Sequence, residues 1–246
     1  MATPGSLAST RRTERAFFGG MAALIAVTIL FGFARTYYLR PLVAAPSPRL
    51  PTLTPLIHVH GLLFTGWIVL LVVQTCLIAA RRADVHRRLG IAGAALAVPM
   101  IGVGTLTALQ GVVRGVSPGG IEPRRFLAMP LFALLVFGVL LFAGLRARRD
   151  AQSHKRLVLL ATIALLPPAL ARWMIVYLGL PVPSVLAVST LFILPLVVWD
   201  WKTLGRLHPA TLWGGLLVIA SGPLRIAIAF TPAWLAFADW AVALVK

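Results

Sequence analysis

Apolar runs long enough to cross a lipid bilayer recur along the whole chain, and they constrain its fold more than any other feature. The hydrocarbon core of a bilayer is about 30 Å thick, and a helix of about 20 apolar residues crosses it. Because lipid offers the backbone no hydrogen-bond partner, each run must satisfy its own amides by forming a helix. The runs lie near residues 16–38, 54–80, 87–113, 125–147, 155–178, 183–202 and 208–231.

The composition agrees with a protein whose main solvent is lipid. Apolar residues make up 59% of the chain and charged residues 12%, whereas soluble proteins average about 45–50% and 25%. The sequence therefore predicts an all-α polytopic integral membrane bundle with about seven transmembrane helices, in contact with the lipid bilayer. Residues 1–15 would form a cytoplasmic N-terminal segment, residues 16–235 the transmembrane domain and residues 236–246 a short C-terminal tail.

The formal net charge of +17 indicates topology rather than a nucleic-acid partner. The basic residues stand in short clusters between the apolar runs and do not form one continuous face. Because cytoplasmic loops are enriched in basic residues, we expect a multi-pass protein of the inner (cell) membrane, with its N-terminus in the cytoplasm and its C-terminus outside. The basic residues of the three predicted cytoplasmic turns are Arg81, Arg82, Arg87, Arg88, Arg146, Arg148, Arg149, Lys155, Arg156, Lys202 and Arg206.

The first apolar run is predicted to be a retained transmembrane helix. It extends to Tyr37 and Tyr38 without a convincing small-residue cleavage site. The apolar region of a secretory signal peptide is usually only about 7–15 residues long, so a cleaved signal peptide is the less favoured alternative.

Three histidines begin the third, fifth and seventh runs at a similar membrane depth: His86, His154 and His208. The helix dipole disfavours an imidazolium at a helix N-terminus and so favours the neutral imidazole that binds metals. Three histidines and a water form a catalytic zinc site, and two histidines from facing helices ligate haem iron. Alternatively, the histidines only line the helix starts, where an Asp caps the helix and Arg or Lys meets lipid headgroups.

His60, Trp67 and Gln74 recur every seven residues along the second run and therefore share one helical stripe. Lipid solvates these side chains poorly, so the stripe is predicted to face the inside of the bundle. His58 lies roughly 200° around the helix from His60 and is not expected to join it. We interpret His60 and Gln74 as candidate cofactor-binding residues. The alternative is an interfacial histidine, a packed tryptophan and a satisfied amide.

Two arginines, Arg172 and Arg225, lie within apolar runs, about 26–27 Å along their helices from His154 and His208. Both should therefore reach the outer leaflet, and Arg172 would join His60 around an outer polar site. Two guanidinium groups favour an anionic ligand, such as a carboxylate, a phosphate or haem propionates. The alternative is that both side chains snorkel to the outer interface.

Short motifs follow one another along the chain: H-V-H-G at 58–61, Trp67, Gln74, H-R-R-L-G at 86–90, H-K-R-L at 154–157 and L-H-P at 207–209. Together they resemble a family of uncharacterised bacterial multi-pass membrane proteins, over most of residues 54–235. The chain is more distantly similar to domain-of-unknown-function membrane families with histidines at helix ends, some suspected of links to haem or oxidase assembly. The resemblance carries over the pattern of His60, Gln74, His86 and His154, without a role for each.

Three functional hypotheses follow, and whether the protein is an enzyme stays open. The leading one is a binding or electron-transfer protein, in which the inner histidines hold haem or a metal and the outer Arg and His residues hold an anionic group. The second is a zinc-dependent hydrolase acting on lipid, with the three inner histidines as ligands and Asp84, Asp150 or Asp200 as base. The third is a transporter or sensor without a cofactor, whose outer basic pocket binds a small anionic ligand.

Overall fold

The structure, a computed structural model, describes residues 4–43, 52–175 and 177–246. Within these residues the fold is helical and contains no β-strand. A π-helical turn, Ala34–Tyr38, continues the first helix, and a short 3-10 turn lies at Pro118–Gly120. The α-helices are α1 Pro4–Phe33, α2 Pro55–Ala79, α3 Ala83–Val113, α4 Pro123–Phe126, α5 Ala128–Arg146, α6 Ala151–Ile163, α7 Pro167–Met174, α8 Val182–Leu191, α9 Leu194–Leu204, α10 Pro209–Ala229 and α11 Pro232–Ala243.

The described residues contain seven helical segments that are long and apolar enough to cross a membrane. They coincide with the seven predicted runs to within a few residues, so the prediction of an all-α polytopic bundle is confirmed. The segments are span 1 Arg12–Tyr38, span 2 Pro55–Ala79, span 3 Ala83–Val113, span 4 Pro123–Arg146, span 5 Ala151–Met174, span 6 Val182–Leu204 and span 7 Pro209–Ala229.

Prolines divide spans 5 and 6 into two helices each. A proline has no N–H to donate to the preceding turn, so it starts a helix more readily than it continues one. In span 5, α6 ends at Ile163 and α7 begins at Pro167, and the amides of Leu165 and Leu166 turn back to the carbonyls three residues earlier. The interruption lies in the middle of the span and leaves room between neighbouring helices.

Span 5 lies at the centre of the bundle. In its most apolar stretch 56% of the residues are buried, against 17% in span 2, so most of its surface faces other helices. Its α6 half packs against α5 and α10, and its α7 half packs against α1 and α8. Leu160 and Leu166 of this span are fully buried, together with Phe137 of α5. Polar groups on span 5 therefore face protein rather than lipid.

Span 1 crosses span 5 at close range because a glycine stands at the crossing point. A Cβ atom added to Gly32 would lie 2.6 Å from the backbone oxygen of Ala169. Any side chain at position 32 would thus push α1 away from α7. The close approach brings Thr36, at the end of span 1, next to the side chain of Arg172 on α7.

Candidate functional site

The structure brings together two of the three histidines predicted for a metal site. His86 lies in the first turn of α3 and His154 in the first turn of α6, at the end of the bundle where the basic turns lie; we call this the basic end. Their ring centroids are 6.3 Å apart, and the two ring planes are nearly perpendicular at 85°. The imidazoles of two sequence-distant helix starts therefore form a pair.

The hydrogen bonds around the His86–His154 pair leave ring nitrogens available. His154 Nδ1 lies 2.8 Å from the Gly144 carbonyl oxygen, which can only accept, so Nδ1 is the donor and Nε2 takes no part in this bond. Metal-binding histidines are commonly oriented by such a bond to a backbone carbonyl. His86 Nδ1 is buried without a hydrogen-bond partner among the described residues. Both rings can thus present a nitrogen to a ligand.

Gln74 belongs to the surroundings of this pair. Its Nε2 donates a 3.2 Å hydrogen bond to the backbone oxygen of His86 and so ties α2 to the start of α3. Its Oε1 is buried and has no partner within the described part of the chain. The amide nitrogen of Gln74 therefore positions the helix that carries His86, and its amide oxygen can accept a hydrogen bond from a ligand.

His208 has a different role at the same end. Its Nδ1 accepts a 3.1 Å hydrogen bond from the Ala210 amide and caps the N-terminus of α10. Burial, followed by the nearby positive charge of Arg156, lowers the pKa of His208 below its ordinary value of 6.5. His208 is therefore neutral at neutral pH, and it caps α10 itself, whereas the alternative interpretation of the sequence expects an Asp as the cap.

No group of three or more His, Cys, Asp or Glu side chains that could hold a metal ion occurs among the residues described. The geometry thus gives the three-histidine zinc site no support, and that site stays a prediction. Asp150 caps α6 by accepting from the Gln152 amide, and a hydrogen bond from Ser153 lowers its pKa. Asp84 is exposed beside Arg82, at 3.7 Å. Neither carboxylate is held against the His86–His154 pair.

The third aspartate, Asp200, forms a buried ion pair that sequence reasoning missed. Arg156 Nη2 and Nε lie 2.5 Å and 3.0 Å from Asp200 Oδ1, and the two side chains are 1% and 0% exposed. Asp200 Oδ2 also accepts from the backbone N–H of His208. In the sequence, Arg156 belongs to a basic cluster that indicates topology. The available signal was Asp200 itself, because an acid inside an apolar run needs a partner.

The ion pair belongs to a polar network that fastens four spans at the basic end. Gln152 accepts from Arg156 Nη1 through its backbone and side-chain oxygens, and its Nε2 donates to Glu14 of span 1. Lys155 pairs with the same Glu14 carboxylate and lies over the Phe18 ring, 4.6 Å from its centroid. Spans 1, 5, 6 and 7 are thus joined through side chains on the central span.

The stripe predicted on span 2 faces the interior. Trp67 is buried and donates a 3.2 Å hydrogen bond from Nε1 to Thr162 Oγ1 of span 5. The His60 ring stacks on Phe64 at 4.2 Å, and its Nδ1 is buried without a partner among the described residues. His58 is exposed and contacts Tyr37 instead. His60 and Gln74 therefore lie on one inward stripe but at opposite ends of the span.

The donors of Arg172 are directed toward span 1, and its predicted joint site with His60 stays a prediction. Its Nε donates to Thr36 Oγ1 at 3.0 Å, and its Nη1 to the Pro168 carbonyl at 2.7 Å. The guanidinium carbon lies 3.9 Å from the centroid of the Phe33 ring, a cation–π arrangement. Arg172 is within electrostatic range of His60. These contacts tie span 5 to span 1 near the end opposite the basic end.

Arg225 occupies a different place from Arg172. It is only 3% exposed, and it lines a cavity of about 310 Å³ between spans 5, 6 and 7. Its Nε and Nη2 donate to the backbone and side-chain oxygens of Ser221, at 2.9 Å and 2.7 Å. Its Nη1 donates to the Met129 carbonyl at 3.3 Å. The two arginines of the predicted outer pocket are therefore not brought together by these contacts.

Comparison with known proteins gives no matching family model, no matching curated protein and no matching solved structure. The motif resemblance to a family of bacterial membrane proteins therefore stays a prediction.

Proposed function

We propose that this chain is a multi-pass protein of the bacterial inner membrane that binds a transition metal, as an ion or as haem iron, through His86 and His154. The observation that supports this proposal is the 6.3 Å separation of the two ring centroids. Two imidazoles on opposite sides of one metal have centroids roughly 6 Å apart, from two bonds of about 2.0 Å and two ring radii of about 1.1 Å. The pair thus has the spacing of two opposed ligands.

The ligand set favours some metals over others. Two imidazole nitrogens suit a copper ion or the axial positions of haem iron, whereas a catalytic zinc site uses three protein ligands and an open position. The third histidine caps α10, and Asp200 is engaged by Arg156. The pair therefore favours electron transfer, or the handling of a redox cofactor during assembly, over zinc-dependent hydrolysis of lipid.

Metal analysis of three forms of the purified protein tests the proposal. Wild type, His86→Ala/His154→Ala and His58→Ala are expressed with added copper and iron, purified in a non-ionic detergent, and compared by absorption spectroscopy and elemental analysis. His58 is the matched control, because it is exposed and lies away from the pair. We expect stoichiometric copper or a haem Soret band in wild type and in His58→Ala, and its loss in the double variant.

Two results would overturn the proposal. One is a wild-type protein that carries neither metal nor haem after such expression. The other is a double variant that keeps the cofactor. Size-exclusion chromatography of every form shows that a loss of metal does not come from aggregation.

A further inference from the structure

Arg225 is a buried cation without a counter-ion among the described residues. Its hydrogen-bond partners are the oxygens of Ser221 and the Met129 carbonyl, all of them uncharged. Arg156 is equally buried but is neutralised by Asp200. An unpaired buried charge costs several kcal/mol, and charged residues inside membrane domains therefore mark ligand sites or ion pathways by default. Within the described residues, the charge of Arg225 is therefore uncompensated.

Arg225 lines an open volume. The cavity of about 310 Å³ lies between spans 5, 6 and 7, at the lower end of the range of about 300–1,000 Å³ that is usual for small-molecule sites. Among the described residues, the three hydrogen bonds of Arg225 use one N–H on each of Nη1 and Nη2 and leave the second N–H of each without a partner. A pair of N–H donors on one guanidinium binds a carboxylate or a phosphate with two parallel hydrogen bonds.

The remaining lining is mostly apolar. It includes Ile163, Leu186, Val218 and Ile226, one or more from each of the three spans. Such walls suit a hydrocarbon chain, and the lining residues include no acidic side chain that would neutralise the arginine. A ligand that fits both features has one anionic end and an apolar remainder.

Prolines keep this space open on all three spans. Pro167 begins α7, Pro183 lies in the first turn of α8, and Pro223 lies inside α10, and all three line the cavity. Pro223 cannot donate to the Ile219 carbonyl, and Ile219 lines the same cavity. A proline therefore lies at the cavity on each of the three spans, at a helix start in spans 5 and 6 and inside α10 in span 7.

We propose that the cavity binds a single-chain amphiphile with one oxyanion head, which pairs with the Arg225 guanidinium while its apolar chain lies against the walls. The head is the carboxylate of a fatty acid or the phosphate of a single-chain lipid, since both present the oxygen pair that the fork binds. This site is separate from the histidine pair and does not depend on a metal.

Calorimetric binding of three ten-carbon probes to detergent-purified protein tests the site. The probes are decanoate, decyl phosphate and the uncharged decanol, which measures partition into the micelle. We expect at least one anionic probe to bind wild type with 1:1 stoichiometry, and Arg225→Gln to weaken it at least tenfold. Tighter binding of decanoate would identify a fatty acid as the ligand, and tighter binding of decyl phosphate a single-chain lipid phosphate.

Three further variants make the test independent of folding and of the metal proposal. Ala187→Phe narrows the cavity from an exposed lining position and keeps Arg225, so it should weaken the same probe. Arg148→Gln removes an exposed arginine outside the cavity and should bind as wild type does. His86→Ala/His154→Ala should also bind normally, even where it has lost a metal. Failure of both anions to bind wild type, or binding by Arg225→Gln at wild-type strength, would overturn the proposal.

Discussion

At the scale of single residues, two arginines deep in the bundle are stabilised by different partners. Arg156 shares an Asp200 oxygen between Nε and Nη2, whereas Arg225 reaches only neutral oxygens in the described structure. A buried ion pair adds little net stability compared with an apolar pair, but the removal of one partner costs about 3–5 kcal/mol. Arg156 and Asp200 therefore act as a unit, and a double substitution should be milder than a single one.

We predict that Arg156→Met lowers the free energy of unfolding by about 3–5 kcal/mol, because the Asp200 carboxylate stays buried without its cation. Arg156→Met combined with Asp200→Asn should recover most of this loss, since the amide oxygen at position 200 still accepts from the His208 backbone N–H. Unfolding titrations in mixed detergent measure both changes. Arg148→Met, at an exposed position of the same turn, is the control and should unfold as wild type does.

The losses in the free energy of unfolding show whether Arg156 and Asp200 stabilise the bundle as one ion pair or independently of each other. A loss in the double variant equal to the sum of the losses in Arg156→Met and Asp200→Asn alone would mean that the two side chains stabilise the bundle independently. An Arg156→Met protein as stable as wild type would contradict the buried ion pair.

At the scale of helices, the crossing of α1 and α7 depends on the absence of a side chain at Gly32. The atom nearest to an added Cβ is the backbone oxygen of Ala169, which cannot move aside by changing a rotamer. The crossing also holds Thr36 beside Arg172. A shift of α1 would therefore disturb the outer polar contacts as well as the packing.

We predict that Gly32→Ala destabilises the protein by about 1–3 kcal/mol, as overpacking of a tight core commonly does. Gly19→Ala, on the same helix, is the matched control, because an added Cβ there meets no atom within 4 Å. Thermal unfolding in detergent compares the two variants with wild type. If Gly32→Ala were as stable as Gly19→Ala, the close crossing of spans 1 and 5 would be wrong.

Hydropathy fixed the number and the limits of the spans, because in lipid the length of an apolar run decides whether a helix can cross. It did not determine how each helix is rotated about its axis. His86 and His154 meet while His208 caps its own helix, and only packing decides this difference. Likewise, Arg156 stands in a basic cluster in the sequence, yet its partner lies 44 residues away on another span. Long-range pairing of this kind leaves no local pattern.

At the scale of the whole molecule, the orientation of the bundle in the membrane determines the side from which a ligand reaches each site. The basic turns all lie at the end of the bundle that carries the His86–His154 pair, and basic residues favour the cytoplasmic side. We therefore expect the pair to face the cytoplasm and the C-terminus to lie outside. An alkaline phosphatase reporter, which is active only after export, should be active when fused after Lys246 and inactive when fused after Arg149.

Fluorescent-protein fusions at the same two positions supply the reciprocal control, because this reporter folds only in the cytoplasm. Fluorescence is expected after Arg149 and not after Lys246. The opposite pattern for both reporters would show that the bundle is inverted. A metal would then have to reach the histidine pair from outside the cell, whereas the predicted orientation gives that pair access to the cytoplasmic metal and haem pools.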